Sequence, residues 1–522
     1  MVKLAPVNFL RVIAIVIPLV VGSFIFCRVS RSGLAVYADS VTYICGARSI
    51  REGHGYTMQT ADGSFERINL YPPLYSFFLA AASFPDRDVI ATARKVHLIL
   101  LLISLGLVML FAGYSSSGSP SVIFLAGMSW VFATDLISFE CIVLSESLFM
   151  MLAVLSVFLL YSYLRFSKLE HLVMAAVATA LTWLSRYAGA AWVWSGMLCL
   201  LLFSHFGWRR RLMDICVFFV LASGMNLYWI WRNLQGGQSA FGRSIHLTHF
   251  YGREQAESLL TALRFWTWRL TTHHQSAYLG LYMVLLAVIL VSMVWIRTED
   301  DQEISQTSLA SKLVFVYANF YLVFLVFCAV FFQGDLFSDS TRILIPFHLL
   351  LLLFIILHVH GLLRKYSNVN FRLLAWVVTI ACIVGGSRAV MALIHDSGRP
   401  ESLIYAAPEY RQSATIRAVL KMPLTRLIYT NLDYPITLVT GRECYTIPTV
   451  IDNDTQYPNP NYDSEMNEMS NDIVREGAVL VYFKHGDGWL VYPSLDKILA
   501  RIPLQLVAAF DDGSIWQGRK PN

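Results

Sequence analysis

The sequence has 522 residues, of which 56% are hydrophobic and 14% charged, with a mean hydropathy of +0.55 and a net charge of +5. Soluble domains contain about 25% charged and about 45–50% apolar residues, so this composition excludes an ordinary soluble protein. The apolar residues form blocks of about 20, the length at which a helix crosses a bilayer. The chain is therefore predicted to be a polytopic α-helical membrane protein.

The apolar blocks predict about eleven membrane spans. The spans cover residues 7–27, 93–114, 120–138, 143–164, 169–186, 188–206, 212–231, 276–296, 313–332, 343–360 and 373–393. The first block could serve as a secretory signal, but it is long and no small-residue cleavage site follows, so we expect it to be retained. The shorter run 75–84 is predicted to lie at the membrane interface.

Lysine and arginine in the short loops indicate the orientation, because cytoplasmic loops carry an excess of both. With the N-terminus inside, the inner loops contain Arg165, Lys168, Arg209, Arg210, Arg211, Arg364, Lys365 and Arg372. The outer loops are then 28–92, 138–143, 232–275 and 333–342. We interpret the arginine tract at 209–211 as a topology signal, and no nucleic-acid partner is predicted.

The composition becomes ordinary after residue 393. Residues 394–522 are predicted to form a separate extracytoplasmic α/β domain, and 1–393 the transmembrane domain. Strand-like runs occur at 427–430, 436–440, 479–483 and 506–510, helical runs at 408–420 and 494–500, and a polar loop at 453–472. Asp512-Gly513 indicates a hairpin turn. A bridge between Cys45 and Cys444 remains open, although no paired spacing supports it.

The outer loop 28–92 is predicted to carry the active site. Asp39 and Ser40 are placed to cap a helix over 41–51. The turn Ala61-Asp62-Gly63 indicates a small hairpin, and Tyr71-Pro72-Pro73 forces extended backbone before the next helix. The loop is therefore expected to fold against the membrane surface.

Several motifs follow one another in an order that resembles the GT-C superfamily of membrane glycosyltransferases. They are Asp39, Tyr43, Gly53, Tyr56, Tyr71-Pro72-Pro73-Leu74, Ser145-Glu146, Leu184 to Gly189 around Arg186, and Ser340 to Pro346 around Arg342. The set covers roughly residues 1–393 and is most similar to the branch of protein O-mannosyltransferases and lipid A aminoarabinose transferases. The family often flanks the late arginine with an acidic and an aromatic residue, whereas this chain has Thr341 and Ile343.

The resemblance implies a polyprenyl-phosphate sugar as donor and an extracytoplasmic acceptor hydroxyl, in a bacterial-type inner membrane. A phosphate leaves as an anion, so one carboxylate acting as general base suffices if cations stabilise the leaving group. Asp39 is the predicted base of an inverting transfer. Arg186 and Arg342 are predicted to bind the phosphate, because guanidinium groups match phosphate oxygens, and Arg232 is a further candidate.

Glu146, Tyr43 and Tyr71 complete the predicted substrate-binding set. Glu146 is expected either to bind the acceptor or to hold a divalent cation together with Asp39, and no metal is assigned. Simpler interpretations are a helix cap for Asp39, interfacial anchoring for Glu146 and Arg186, and an interface aromatic for Tyr71.

Two other classes of function compete with an enzyme. A lipid or polysaccharide transporter or flippase would need a polar pathway, but charged residues are scarce inside the spans and no internal repeat is visible. A non-catalytic protein that only binds a lipid-linked sugar remains open at this stage. Donor turnover distinguishes it from an enzyme.

Overall fold

The computed structural model describes residues 9–84, 88–235, 239–241, 302–331, 340–365, 384–397, 399–451, 458–485 and 492–519. The predicted span 276–296 and the first part of the predicted span 373–393 lie outside these ranges. The chain divides into two compact units. The helical unit comprises Met1–Arg31, Asn69–Tyr75 and Arg94–Gly398, and the sheet unit comprises Ser32–Ile68, Ser76–Ala93 and Arg399–Asn522.

Twelve labelled helices precede residue 366 in the described ranges. They are α1 (Phe9–Val29), α2 (Ala38–Arg51), α3 (Leu74–Ala82), α4 (Val89–Ser115), α5 (Pro120–Val131), α6 (Thr134–Glu140), α7 (Glu146–Phe166), α8 (Leu169–Ser185), α9 (Ala190–Phe203), α10 (Trp208–Gln235), α11 (Gln302–Phe331) and α12 (Ser340–Lys365). A further helical stretch covers 384–396.

Six of the described helices are long and apolar enough to cross a membrane, namely α1, α4, α7, α10 and most of α11 and α12. The prediction of a polytopic helical membrane protein is therefore confirmed. The predicted span 120–138 is instead the pair α5 and α6, bent by 59° at a short break, and counts as a seventh candidate if the pair is one span. The helices α8 and α9 are apolar but shorter than these candidates.

Aliphatic, aromatic and small residues fill the interior of the helical unit. Trp192 in α9 is buried and packs edge-on against Phe149 and Tyr321, with ring centroids 5.2 and 5.3 Å away. Such pairs contribute about 0.5–1.5 kcal/mol beyond their buried area. A Cβ atom on Gly196 would lie 2.5 Å from the ring of Phe218, so glycine permits the close approach of α9 and α10.

The sheet unit contains a two-stranded hairpin and a five-stranded sheet. The strands are β1 (Thr57–Gln59), β2 (Phe65–Arg67), β3 (Ile428–Thr430), β4 (Tyr445–Thr446), β5 (Val479–Phe483), β6 (Leu504–Ala509) and β7 (Gly513–Gly518). The larger sheet has the order β4-β3-β5-β7-β6; β4, β3 and β5 are parallel, and β7 pairs antiparallel with β5 and β6.

Both faces of the five-stranded sheet are covered by helices. These helices are Pro408–Gln412, Ala414–Val419, Asp433–Thr440, Tyr462–Asn471 and Leu495–Arg501. Side chains alternate along β5, so Val479 and Val481 pack with Ile416 on one face while Leu480 packs with Met469 on the other. The inner strand β5 is therefore buried on both sides, as its unbroken apolar sequence indicates.

Two predicted elements of the sheet unit are wrong. Residues 436–440 form the end of the helix Asp433–Thr440, which closes with Gly441 at φ +82°, a backbone conformation that favours glycine. The segment 453–472 contains the helix Tyr462–Asn471 instead of being loop throughout, because Met466 and Met469 provide a buried face despite polar surroundings.

The opening loop folds within the sheet unit. The predicted hairpin is present as β1 and β2, with Thr57 opposite Arg67. Arg48 of α2 donates a hydrogen bond to the Leu438 carbonyl at 2.6 Å, and the Glu443 backbone N–H donates to the Gln59 carbonyl at 2.9 Å. These contacts join α2 and the hairpin to the C-terminal sheet.

One local expectation for this unit is corrected. The N-cap of α2 is Tyr37, and Asp39 lies in the first helical turn, where the helix dipole favours a carboxylate. The backbone N–H of Tyr37 donates to Ser40 Oγ at 3.0 Å. Cys45 and Cys444, for which a bridge was left open, are both buried free thiols.

Candidate active site

Three predicted site residues meet in the helical unit. Glu146 is the first residue of α7, Arg186 follows the last residue of α8, and Arg342 lies in the first turn of α12. Both guanidinium groups form ion pairs with the same carboxylate oxygen, Glu146 Oε1. The side chains of Glu146, Arg342 and Arg186 are 6%, 12% and 20% exposed, so the cluster is largely removed from water.

Local backbone geometry explains how each side chain reaches this point. The carboxylate of Glu146 suits the positive end of the α7 dipole. Arg186 has extended backbone, with φ −153° and ψ 139°, and connects α8 to a 3₁₀ turn over Tyr187–Gly189. The charge of Arg342 opposes the dipole at the start of α12, so its ion pair with Glu146 provides the compensating interaction.

A small recess adjoins the cluster. It has a volume of about 10 Å³ and is lined by the three charged residues together with Phe149, Met150, Tyr321, Ile345 and Pro346. Glu146 Oε2 is buried and makes no hydrogen bond to the described residues. The Tyr321 hydroxyl donates to the Ile343 carbonyl at 2.8 Å, which fixes the wall beside Arg342.

The other predicted residues lie elsewhere in the two units. Arg232 lies in the last turns of α10, where its guanidinium is 4.4 Å from the Trp229 ring centroid. Tyr71 belongs to the helical unit. Asp39 and Tyr43 share α2 in the sheet unit, where Asp39 is half-buried and Tyr43 is buried.

Tyr187, which is not among the predicted site residues, is central to a hydrogen-bonded group beside Arg186. Its hydroxyl donates to the Asn69 carbonyl at 2.6 Å. It accepts from Trp229 Nε1 at 3.3 Å and from Asn233 Nδ2 at 3.4 Å. The only sequence signal for Tyr187 was its position directly after Arg186. Its partners are 118, 42 and 46 residues away in sequence, so their contacts could not be predicted without the tertiary fold.

A second unpredicted group centres on His97, a buried residue of α4. Because Nδ1 lies 2.8 Å from the Glu140 carbonyl, which only accepts, we assign the proton to Nδ1. Nε2 then accepts from the Tyr75 hydroxyl at 2.6 Å. Ser147, the neighbour of Glu146, lies 3.1 Å from Nδ1. His97 lies near the start of the predicted span 93–114, shortly after Arg94 and Lys95, so its polarity alone gave little signal for this position.

The described residues contain no group of three or more His, Cys, Asp and Glu side chains placed to hold a metal ion. Glu146, predicted as one alternative to share a divalent cation, has two guanidinium partners. Their positive charge opposes a cation at the same oxygen. The cluster is better suited to an anion.

No family model matches the sequence, and no curated protein sequence matches it. Among solved structures, the chain resembles ArnT from Cupriavidus metallidurans bound to undecaprenyl phosphate, with a TM-score of 0.54, 12% identity and 97% of each chain covered. It also resembles the archaeal oligosaccharyltransferase AglB from Archaeoglobus fulgidus in complex with an inhibitory peptide and a dolichol-phosphate. There the TM-score is 0.51 and the identity 10%, over 91% of this chain and 70% of AglB.

ArnT and AglB are glycosyltransferases of the GT-C superfamily. At identities of 10–12% the likeness concerns the fold and not the substrates. The resemblance inferred from the ordered motifs is confirmed at that level. The chain is a multi-pass membrane protein with the fold of GT-C glycosyltransferases.

Proposed function

We propose that this protein transfers a sugar from a polyprenyl-phosphate donor to an acceptor hydroxyl outside the cytoplasm. The observation that carries the proposal is the buried pairing of Glu146 with Arg186 and Arg342 at the ends of three helices. It occurs in a chain with the GT-C fold, and the two similar structures contain undecaprenyl phosphate and a dolichol-phosphate.

Arg186 and Arg342 are proposed to bind the lipid phosphate. Each guanidinium has five N–H donors, so one that contacts Glu146 retains donors for phosphate oxygens. Two cations and one carboxylate leave a net charge of +1, which attracts an anion. Glu146 also reduces the mutual repulsion of the two arginines before the donor binds, which explains why a carboxylate lies in an anion site.

Asp39 is proposed as the general base. It takes the proton of the acceptor hydroxyl as that oxygen forms a bond to the anomeric carbon and the bond from this carbon to the phosphate oxygen breaks. The lipid phosphate leaves as an anion and needs cations rather than a proton, so a second acid is not required. Direct displacement inverts the anomeric centre. Tyr43, Tyr71 and Arg232 remain proposed substrate contacts.

The proposed membrane arrangement follows from charge and length. About eleven spans, with the N-terminus inside, place the loop 28–92 and the domain 394–522 on the outer face of a bacterial-type inner membrane. The acidic first turn of α2 would then face the compartment in which the acceptor is found. This placement is consistent with basic residues at 209–211 on the opposite side.

Transfer by the purified protein tests the proposal. In lipid nanodiscs, the protein is given a radiolabelled polyprenyl-phosphate sugar and envelope extract, and release of polyprenyl phosphate together with labelled product is measured. Asp39→Asn should abolish transfer, whereas Glu52→Gln, which removes an exposed carboxylate at the other end of α2, should retain it. Full transfer by folded Asp39→Asn would remove Asp39 as the base. No transfer from any polyprenyl-phosphate sugar would reject the function.

A further inference from the structure

The Tyr187 hydroxyl uses its whole hydrogen-bonding capacity within the helical unit. A phenol has one donor and two acceptor positions. The donor binds the Asn69 carbonyl at 2.6 Å, and the acceptors receive Trp229 Nε1 at 3.3 Å and Asn233 Nδ2 at 3.4 Å. The ring also packs edge-on against Phe241, at 5.2 Å between centroids. A surface tyrosine that only anchors a helix at the lipid interface would not need three specific partners.

The partners of Tyr187 connect it to Arg232. Asn233 is buried and accepts a hydrogen bond from Arg232 Nη1 at 3.1 Å through its Oδ1. The Trp229 ring lies 4.4 Å from the same guanidinium, a cation–π distance. Asn233 Nδ2 also donates to the Ala240 carbonyl at 3.1 Å. The side chains that hold Arg232 are thus the ones that donate to Tyr187, the residue next to Arg186.

Asn69, the third partner of Tyr187, is the first residue of the Tyr-Pro-Pro segment, which we define as residues Asn69–Tyr75. Its first residue is bound by Tyr187, and its last residue donates from the Tyr75 hydroxyl to His97 Nε2 at 2.6 Å. Two prolines restrict the backbone between these ends. The segment is therefore fixed at both ends on the helical unit. Its first end is bound by Tyr187, which follows Arg186. Its last end is bound by His97, which lies 3.1 Å from the hydroxyl of Ser147, the residue after Glu146.

We propose that Tyr187 is a positioning residue of the donor-phosphate site. It holds the Arg232 end of α10 and the Tyr-Pro-Pro segment in a fixed relation to Arg186, so that the lipid phosphate meets an assembled set of donors. The inference rests on the proposed function for the identity of the ligand. Tyr187 itself is not assigned a contact with the reacting atoms.

Tyr187→Phe tests this role, because it keeps the ring and removes the oxygen. The matched control is Tyr228→Phe in α10, where the side chain is 65% exposed. Trp229→Phe is a milder variant that keeps the bond from Tyr187 to Asn69. For each protein in nanodiscs, we would measure the Kd for undecaprenyl phosphate, KM and kcat for a polyprenyl-phosphate sugar, and thermal stability.

For Tyr187→Phe we expect Kd and KM to rise together by about tenfold, on the scale of one or two lost hydrogen bonds, with kcat nearly unchanged. Trp229→Phe should have a smaller effect in the same direction, and Tyr228→Phe none. A lower melting temperature with unchanged Kd and KM would assign Tyr187 a merely structural role and overturn the inference, as would an equal effect of Tyr228→Phe. If Tyr187→Phe does not fold, Trp229→Phe decides by the same criteria.

The binding measurement separates this inference from the proposed function. A wild-type protein that binds undecaprenyl phosphate but transfers no sugar would refute the function, and the Kd comparison would still decide the role of Tyr187. A wild-type protein that transfers sugar, with Tyr187→Phe unchanged in Kd and KM, would overturn the positioning role alone. A wild-type protein that neither binds nor transfers would overturn both.

Discussion

Glu146 and Arg342 are 196 residues apart in the sequence and form a buried ion pair. The pair joins the start of α7 to the start of α12. Since Arg186 binds the same oxygen, the carboxylate acts as a common acceptor for cations from two further helices. The ends of separate helices are thereby fixed at one point, which is a suitable basis for an anion site.

Removing the charge of Glu146 should destabilise the protein. Glu146→Gln removes the negative charge that two largely buried guanidinium groups share, and breaking a buried ion pair costs about 3–5 kcal/mol. Thermal unfolding in detergent measures the change. Glu170→Gln is the control, because Glu170 and Lys168 form an exposed pair, of the class that contributes about 0–1 kcal/mol. Equal melting temperatures for the two variants would contradict the importance of the buried pair.

The turn that carries Arg186 should not tolerate a side chain at Gly189. A Cβ atom there would lie 2.5 Å from Trp183 Cα and 2.6 Å from the Thr182 carbonyl oxygen, and backbone atoms cannot easily move away. We expect Gly189→Ala to cost about 1–3 kcal/mol, as overpacking does, and to weaken undecaprenyl phosphate binding by displacing Arg186.

Gly224→Ala is the control for that substitution. Gly224 lies within α10 with nothing within 4 Å of the added atom, and alanine is the better helix former by about 0.5–1 kcal/mol. It should be neutral or stabilising, with unchanged lipid binding. A Gly189→Ala protein as stable as Gly224→Ala, and with wild-type affinity, would show that the turn is free to adjust.

The acid stability of the sheet unit should depend on Asp512. Burial raises the pKa of this carboxyl group, but hydrogen bonds donated by Ser413 at 2.5 Å and Thr415 at 2.7 Å outweigh burial and lower the pKa below its usual value. A carboxyl group whose pKa is lower in the folded state stabilises the protein at pH values above its unfolded-state pKa of about 3.9. That stabilisation is lost as the pH falls through the folded-state pKa.

Asp512→Asn should therefore lower the melting temperature at neutral pH. It should also make the decrease in melting temperature between neutral and acidic pH smaller than in the wild type. Melting curves of the full protein from pH 2 to pH 7 measure this, and the exposed neighbour Asp511, changed to Asn, is the control. The interpretation fails if the two variants have the same pH dependence as the wild type.

Much of the helical architecture could be predicted from hydrophobic length. The predicted span 343–360 lies within α12, and 212–231 lies within α10, because a run of apolar residues leaves few alternatives to a long helix. The break between α5 and α6 could not be predicted. Phe132 and Ala133 are ordinary helix formers, and the bend depends on how the two helices pack.

The sheet unit shows where local patterns are ambiguous. Residues 436–440 are short and apolar, which fits a strand or a helix. The sequence Asp433-Tyr434-Pro435 before them and Gly441 after them are helix start and stop signals, and these determined the outcome. The prediction of a strand at 479–483 is confirmed, because this segment lacks helix start and stop signals and is rich in β-branched and aromatic residues.

The sequence selected three residues that the structure brings together, but not their arrangement. Motif order selected Glu146, Arg186 and Arg342, yet it assigned the glutamate and the arginines to different ligands. Their mutual pairing depends on the packing of α7, α8 and α12, which no local pattern encodes. The role of Asp39 stays a prediction.

Binding of undecaprenyl phosphate to Arg186→Gln and Arg342→Gln tests the central claim most directly. The control is Arg28→Gln, an exposed arginine at the end of α1 that reports general attraction of an anionic lipid. We predict that each site variant, once shown to be folded, binds at least about tenfold more weakly, equivalent to about 1.4 kcal/mol, and that the control retains wild-type affinity. Wild-type affinity in both folded site variants would contradict the assignment of the Glu146 cluster to the lipid phosphate.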